Sequence, residues 1–315
     1  MKKLFIFLSL FLFSTQSFAW GKRGHALICE TAAHLASHKK PSLVFLKQNS
    51  FDLAYYCNVP DLIWKRPKTY KKEFTNHFMN LEVFEREIGK TDWLKKDSPI
   101  YLSRKDFDKK NPKIPRGKGR SWWRIRELDK KIAEVTKKLK KKNLKKKEQQ
   151  NLQEQWLTLV GVAGHYVGDL AMPLHVSENY DGQLSGQEGL HHYFEETMVY
   201  ELFLQKKSEI QHQAFKKALK QWPALLKRSK DKPLIEILKE LSLNSQSRIP
   251  SLLKLDKKTG REDLNKSLKA YKPLVIERLS KGILYQAYFI NRHLGWDFDS
   301  KKYYNFNEKP EFVGY

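Results

Sequence analysis

The chain has 315 residues and a formal net charge of +25 at pH 7, with 60 lysines and arginines against 35 acidic residues. This length is sufficient for a sizeable hydrophobic core in one domain or two. Two cysteines are too few for a disulfide-rich scaffold. The positive charge favours a polyanionic partner such as nucleic acid or anionic lipid, although a solvated lysine-rich surface is an open alternative.

The first residues predict a secretory signal peptide over residues 1–19. Two lysines precede an apolar run at residues 4–13, and small residues follow where a signal peptidase cuts. The run is too short to span a membrane. We therefore expect cleavage after Ala19, a mature chain that begins at Trp20, and a periplasmic or secreted location.

The hydrophobic pattern predicts an all-α fold, because apolar residues recur at helical spacing and no stretch alternates convincingly at period two. A single catalytic domain is expected over residues 20–315. Helices are predicted at residues 26–38, 122–155, 161–171 and 190–206. Another helix is predicted to begin within 42–47, and another after a turn at Pro60-Asp61. One or two more are predicted within 207–245, and a last one within 261–293. Residues 75–82, 106–120 and 182–189 are predicted to be extended or loop. Cys29 and Cys57 can form a disulfide in an oxidising compartment, but the sequence does not show that they are close in space.

Residues 86–150 form a basic, helical insert. Its lysine-rich run at 137–147 is either a solvated helix face or a surface that follows a phosphate backbone. The sequence leaves both interpretations open.

The segment 161–176, GVAGHYVGDLAMPLHV, contains the most suggestive group of polar residues. His165 and Asp169 are four residues apart and share one face of a helix. Pro173 should end this helix, which places His175 just beyond it. Two imidazoles and a carboxylate at one apolar helix end indicate either metal ligands or a buried hydrogen-bonded pair.

Five further residues are candidate ligands, and each has an ordinary interpretation when taken alone. His25 is then a surface or capping residue, Asp61 an N-cap, His77 a packed histidine, and His191 with Glu195 a simple i,i+4 helix pair. His192 is an alternative to His191. Zinc accepts imidazole nitrogens and carboxylate oxygens, so the combined set favours a metal site.

In order and type these motifs resemble the S1/P1 nuclease family, which is similar in fold and metal site to bacterial zinc-dependent phospholipases C. The resemblance covers most of the mature chain. It rests on Trp20-Gly-x-x-Gly-His25, Asp61, His77-Phe-x-Asn, GHYVGDLAMPLHV, LHHYFE and an apolar last helix with Gly282. It implies an almost all-α fold and three zinc ions in a cleft.

Carried over residue by residue, the resemblance also implies a ligand set for each ion. One zinc would be held by Asp61, His77, His165 and Asp169, and a second by His175, His191 and Glu195. The third would be held by His25, Asp169 and the backbone amine and carbonyl of Trp20. Asp169 would then bridge two ions, and the amine of Trp20 would exist only after signal-peptide cleavage.

The sequence departs from the family pattern at four places. Glu195 stands where the nucleases generally have Asp and the phospholipases have Glu. Asn80 replaces an Asp that assists the attacking water, and it cannot act as a base. Trp64 replaces a basic residue for which its neighbour Lys65 is a candidate substitute. The insert at 86–150 is the fourth departure.

The resemblance implies phosphodiester hydrolysis by a metal-activated hydroxide. The catalytic candidates are Asp61, Asp169 and Asn80, and the substrate-binding candidates are Phe78, Phe74, Tyr180 and Lys65. The expected substrate is single-stranded DNA or RNA, cleaved at the P–O3′ bond to leave 5′-phosphates. A phospholipase C that acts on lipid head groups is the alternative, and a noncatalytic polyanion-binding protein is a third interpretation. No obligate protein partner is inferred.

Overall fold

The structure, a computed structural model, describes residues 20–89, 91–296 and 308–314. These residues form helices and turns, with one isolated β-bridge between Met79 and Gly119 and no strand. The predicted signal peptide at residues 1–19 lies outside the described residues. The α-helices are α1 Gly21–Ala36, α2 Val44–Gln48, α3 Ser50–Val59, α4 Tyr70–Glu73, α5 Leu81–Ile88, α6 Arg104–Lys110, α7 Ser121–Leu139, α8 Lys146–Ala171, α9 Leu190–His192, α10 Met198–Ser229, α11 Leu234–Gln246, α12 Ile249–Thr259 and α13 Leu264–Arg292. The predicted all-α fold class is confirmed.

Helix α8 lies at the centre and contacts α1, α3, α7, α11 and α13. Its apolar stripe is buried: Leu152, Trp156, Val160, Ala163, Val167 and Leu170. Two glycines allow α1 to approach closely. A Cβ atom at Gly164 would lie 2.4 Å from Cys29 Sγ, and one at Gly168 would lie 3.0 Å from His25 Nδ1. These glycines therefore bring the N-terminal histidine against the central helix.

A disulfide joins Cys29 of α1 to Cys57 of α3, whose Cα atoms are 6.3 Å apart. The pairing that the sequence left open is thus present. It fastens together two of the helices that pack against α8.

The C-terminal end of α8 agrees with the prediction. The helix ends at Ala171, and Met172 is extended with a ψ of 123°. Pro173 then begins a single 3₁₀ turn, Pro173–Val176, which carries His175. A residue before proline disfavours the helical conformation, which explains the break at this point.

The predicted turn at Pro60-Asp61 is wrong, as is a helix start there. Helix α3 continues directly into a π-helical segment, Pro60–Trp64, in which the Lys65 amide donates to the Pro60 carbonyl at 2.9 Å. The wider π turn accommodates a proline that lacks an N–H donor inside a helix. Asp61 is therefore an interior residue and not an N-cap.

The single helix predicted over 122–155 is also wrong, since α7 and α8 are separate. The chain turns between them, where Asn143 has a positive φ of 69°. Asn tolerates this conformation better than most residues, so it permits a tight break within the lysine-rich run. The loop predicted at 106–120 contains the end of α6, because Phe107 is buried against Trp123 with ring centroids 4.3 Å apart.

Other helix predictions hold with shifted ends. Helix α1 begins five residues before the predicted start at residue 26, since Trp20 O accepts the Gly24 amide at 3.0 Å. The helix predicted at 190–206 is interrupted by a second π-helical segment, Tyr193–Thr197, and kinks at Lys206. The last helix is α13, whereas α4, α5 and α12 were not predicted.

Part of the segment 86–150 packs into the hydrophobic core. Trp93, Phe107, Trp122 and Trp123 are buried. The lysines at 137–147 are exposed. This stretch therefore combines core packing with a basic surface turn.

Residues 308–314 cross α7 and the π-helical segment Pro60–Trp64. Trp64 Nε1 donates to Pro310 O at 2.9 Å, and Arg124 Nη1 donates to Val313 O at 2.8 Å. Trp64 is thus a buried anchor for this segment. None of the described helices combines the length and the apolar composition needed to cross a membrane.

Candidate metal centre

The central helix supplies His165 and Asp169, both fully buried. His165 Nδ1 lies 2.7 Å from the backbone oxygen of Cys57. Because a carbonyl only accepts, Nδ1 carries the proton and Nε2 presents a lone pair. Burial, helped by the nearby His25, lowers the pKa of His165 to about 3 despite the opposing effect of Asp169 and Asp61. The ring is therefore neutral at physiological pH.

A first group of four side chains converges on this lone pair. His165 Nε2 lies 2.9 Å from His77 Nδ1 and 3.4 Å from Asp169 Oδ2. His77 Nδ1 lies 3.1 Å from Asp169 Oδ2 and 3.7 Å from Asp61 Oδ1. The structure thus brings together the four residues predicted for one zinc.

The second group consists of His175, His191 and Glu195. The Nε2 atoms of the two histidines are 3.0 Å apart, and they lie 3.5 and 2.9 Å from Glu195 Oε2. His175 Nδ1 lies 2.6 Å from the backbone oxygen of His77. His191 Nδ1 lies 2.6 Å from the backbone oxygen of Tyr180. Both Nε2 atoms therefore point toward the same carboxylate oxygen, Glu195 Oε2.

The third predicted group is assembled only in part. His25 Nε2 lies 3.3 Å from Asp169 Oδ1, and the His25 ring stacks on His165 with centroids 3.9 Å apart. The Trp20 amide, however, donates to Glu195 Oε2 at 3.1 Å. Trp20 therefore contacts a residue that was predicted for another ion. His25 also forms a compact buried group with Asp61 and His165.

Two π-helical segments position the carboxylates that do not come from α8. Asp61 lies in Pro60–Trp64, and Glu195 lies in Tyr193–Thr197. A π turn shifts the register of a helix by one residue, and such turns are frequent at functional sites. In this chain they direct both side chains inward.

The electrostatics of the three groups suit divalent cations. Burial raises the pKa of Glu195, but His191 and His175 lower it to about 2. Burial also opposes ionisation of Asp169, yet His165 and His175 hold its pKa well below the usual value. Both carboxylates are thus anionic although they are buried.

Both ring nitrogens of the buried His25 lack a hydrogen bond of regular geometry, and Nε2 has only Asp169 Oδ1 beside it at 3.3 Å. Burying such atoms without a partner is costly, and opposed imidazole lone pairs repel each other unless a cation lies between them. The residues therefore fit metal ions, and three buried groups could hold them.

The sequence interpretation missed Glu73, which is completely buried behind His77. Glu73 Oε1 lies 3.2 Å from His77 Nε2 and accepts a hydrogen bond from the Tyr166 hydroxyl. Asn76 Nδ2 donates to Glu73 Oε2 at 3.1 Å. This carboxylate directs Nδ1 of His77 toward the first group, as partners of metal-bound histidines commonly do. The spacing of four residues between Glu73 and His77 was the available signal.

The predicted substrate contacts include direct neighbours of the candidate ligands. Lys65 Nζ forms a buried ion pair with Asp61 Oδ1 at 2.8 Å. Phe78 follows His77 and is half-buried, and Tyr180, whose carbonyl contacts His191, is exposed. Asn80 is buried at the start of α5. His192 is exposed while His191 is buried, which resolves the choice between them in favour of His191.

The comparison with protein families agrees with this geometry. The sequence model of the S1/P1 nuclease family matches residues 20–293. The chain therefore belongs to the S1/P1 nuclease family, a family of phosphodiester hydrolases.

A search of solved structures finds the alpha-toxin of Clostridium perfringens, from an avian strain, at 17% sequence identity and a TM-score of 0.48. The match covers 87% of this chain and 64% of that chain, so this protein spans less than two thirds of the toxin's length. No curated protein matches.

Proposed function

We propose that this protein is a zinc-dependent endonuclease that hydrolyses single-stranded DNA and RNA to 5′-phosphate products. The proposal rests on Asp61 and Asp169, each of which has a carboxylate oxygen within 3.7 Å of ring nitrogens of His77 and His165. The family match supplies the reaction class.

Three zinc ions would be held by the three ligand sets expected from the resemblance. The first set is Asp61, His77, His165 and Asp169, the second is His175, His191 and Glu195, and the third is His25 and Asp169 with the amine and carbonyl of Trp20. Bound zinc would supply a Lewis acid that lowers the pKa of water to about 7 and offsets negative charge on phosphate.

The protein side chains prepare the site for this chemistry. Asp61 and Asp169 stay ionised and fix the position of the cations. Asn80 cannot accept a proton, so its amide orients water or phosphate by hydrogen bonding. Lys65 is close enough to Asp61 to add positive charge beside the phosphate.

The strongly basic chain supports a nucleic acid substrate. Glu195 supports the second candidate, a phospholipase C that acts on lipid head groups, because a Glu at this position resembles those enzymes. We also propose that residues 1–19 direct the protein to the periplasm or the medium and are removed after Ala19.

In the test, the purified mature protein is incubated in parallel with single-stranded DNA and with phosphatidylcholine, each with and without EDTA. We expect EDTA-sensitive release of 5′-phosphate nucleotides and no lipid cleavage. Lipid cleavage without nucleotide release would contradict the nuclease assignment and support the phospholipase. Binding of DNA without cleavage in the presence of zinc would support a noncatalytic protein.

A further inference from the structure

Three aromatic side chains form a continuous row on the outer face of the connection between Asp61 and His77. Tyr70, Phe74 and Phe78 are spaced four residues apart. The ring centroids of Tyr70 and Phe74 are 5.4 Å apart, and those of Phe74 and Phe78 are 5.3 Å apart. The row ends at Phe78, which follows the proposed metal ligand His77 in the sequence.

Two of these rings are exposed although they are large and apolar. Tyr70 is 37% exposed and Phe74 is 41% exposed. The two adjacent rings thus offer an apolar surface on which a ligand can stack. The inner face of the same turns carries Glu73 and His77, so one short segment positions a metal ligand on one side and the rings on the other.

The charge around the row is positive. Residues 65–80 contain Lys65, Arg66, Lys68, Lys71 and Lys72, and their one acidic residue is the buried Glu73. Lys68, Lys71 and Lys72 are exposed. Aromatic rings interleaved with cations suit single-stranded nucleic acid, whose bases stack while its phosphates pair with the cations.

The row is also held firmly at both ends. The Tyr70 amide donates to Arg66 O at 2.7 Å, and the Thr69 hydroxyl donates to Trp64 O. At the other end the Arg120 amide donates to Thr75 O at 2.7 Å. These bonds fix the backbone that carries the rings, which limits the ordering needed when a ligand binds.

We propose that Tyr70 and Phe74 extend the base-binding surface beyond Phe78 and stack bases of a single-stranded polynucleotide away from the cleaved bond. This proposal rests on the nuclease function proposed above and specifies its substrate as a chain of several nucleotides. A dinucleotide is too short to reach Tyr70, so catalytic efficiency should rise with the length of the substrate.

The test compares the unaltered zinc-loaded protein with the double variant Tyr70→Ala/Phe74→Ala. Each lost stacking contact should weaken binding about tenfold. We expect kcat/KM on an oligothymidylate dodecamer to fall well over tenfold, mainly through KM, and to fall much less on a thymidine dinucleotide. The double variant Tyr70→Phe/Phe74→Tyr should retain activity on the dodecamer, because it keeps the rings.

Phe51→Ala is the matched control, because Phe51 is a 72% exposed aromatic residue at the far end of α3. It should leave both substrates unaffected. Equal losses for the dodecamer and the dinucleotide, or an equal loss in Phe51→Ala, would overturn the proposal.

A binding measurement separates this proposal from the nuclease assignment. Fluorescence anisotropy of a phosphorothioate dodecamer, which resists hydrolysis, should show a dissociation constant raised well over tenfold in the double alanine variant. Binding without any cleavage in the unaltered protein would contradict the nuclease function and leave the aromatic row supported. Unchanged dodecamer binding with lost binding to phosphatidylglycerol vesicles would identify a membrane surface and overturn the proposal.

Discussion

The Nε2 atoms of His175 and His191 lie 3.0 Å apart, and each ring faces a backbone carbonyl through Nδ1. The carbonyls orient both rings so that their Nε2 atoms point at each other and at Glu195. Replacing His191 by Ala should therefore remove about one zinc ion from the protein, measured by elemental analysis. Its exposed neighbour provides the control, and His192→Ala should keep the full zinc content. Equal zinc loss in both variants would contradict the assignment.

The two oxygens of Asp169 face different groups. Oδ2 lies 3.1 Å from His77 Nδ1, and Oδ1 lies 3.3 Å from His25 Nε2. Asp169→Asn should therefore lose more zinc than any other single ligand change, including Asp61→Asn, because one carboxylate serves two ions. Elemental analysis and activity on single-stranded DNA measure the effect. A zinc content in Asp169→Asn equal to that of the unaltered protein would refute the bridging role.

Glu73 should influence zinc binding without being a ligand. Glu73→Gln removes the anionic acceptor at His77 Nε2 and should lower zinc affinity about 10- to 100-fold. Competition with a chromophoric chelator measures this affinity. Glu240→Gln is the control, because Glu240 accepts hydrogen bonds from Arg228 and Tyr285. If both variants bind zinc as tightly as the unaltered chain, Glu73 has only a structural role.

The position of Trp20 leads to a prediction about processing. Its backbone nitrogen lies 3.1 Å from Glu195 Oε2, among the proposed ligands. A protein with one extra residue before Trp20 should therefore lose one zinc ion and most of its nuclease activity, because the nitrogen becomes a peptide amide. The protein that begins at Trp20 is the reference. Full activity with three bound zinc ions in the extended protein would disprove the idea.

A pH dependence of stability is expected from Asp256, which joins α12 to the segment before His191. Burial raises the pKa of Asp256, but hydrogen bonds from Arg261, Tyr271 and Gln187 hold it below the usual value of 3.8. The carboxylate therefore stabilises the fold above about pH 3.8, and this contribution disappears as the pH falls through the lowered pKa.

Asp256→Asn should accordingly lower the free energy of unfolding by about 1–3 kcal/mol at pH 7. The difference from the unaltered protein should shrink below pH 3.8. Urea unfolding in EDTA measures it without interference from zinc release. A difference that is the same at pH 3 and pH 7 would contradict this account.

The metal centre was more predictable from the sequence than its surroundings. His165 with Asp169, and His191 with Glu195, are i,i+4 pairs, and such spacing fixes which residues share a helix face before any tertiary contact forms. The π turns that direct Asp61 and Glu195 inward could not be predicted, because they depend on packing around Pro60 and on the neighbouring helices. The break at Asn143 was missed because lysines on both sides have high helix propensity.

The role of Trp64 also depends on distant contacts. In the sequence, Trp64 stands where the family often has a basic residue. In the structure, its indole donates a hydrogen bond to the Pro310 carbonyl, 246 residues away. Such a long-range partner has no local sequence signature. In contrast, the four-residue spacing of Tyr70, Phe74 and Phe78 is visible in the sequence, whereas the exposure of their side chains is not.

The disulfide has a consequence for where the protein can be active. Cys57 contributes its sulfur to the bond with Cys29 and its carbonyl to His165, so the same residue clamps α3 to α1 and orients a proposed zinc ligand. Reduction releases this clamp and should loosen the metal centre. Under reducing conditions the chain should therefore bind zinc less tightly and be a poorer nuclease than the disulfide-bonded chain.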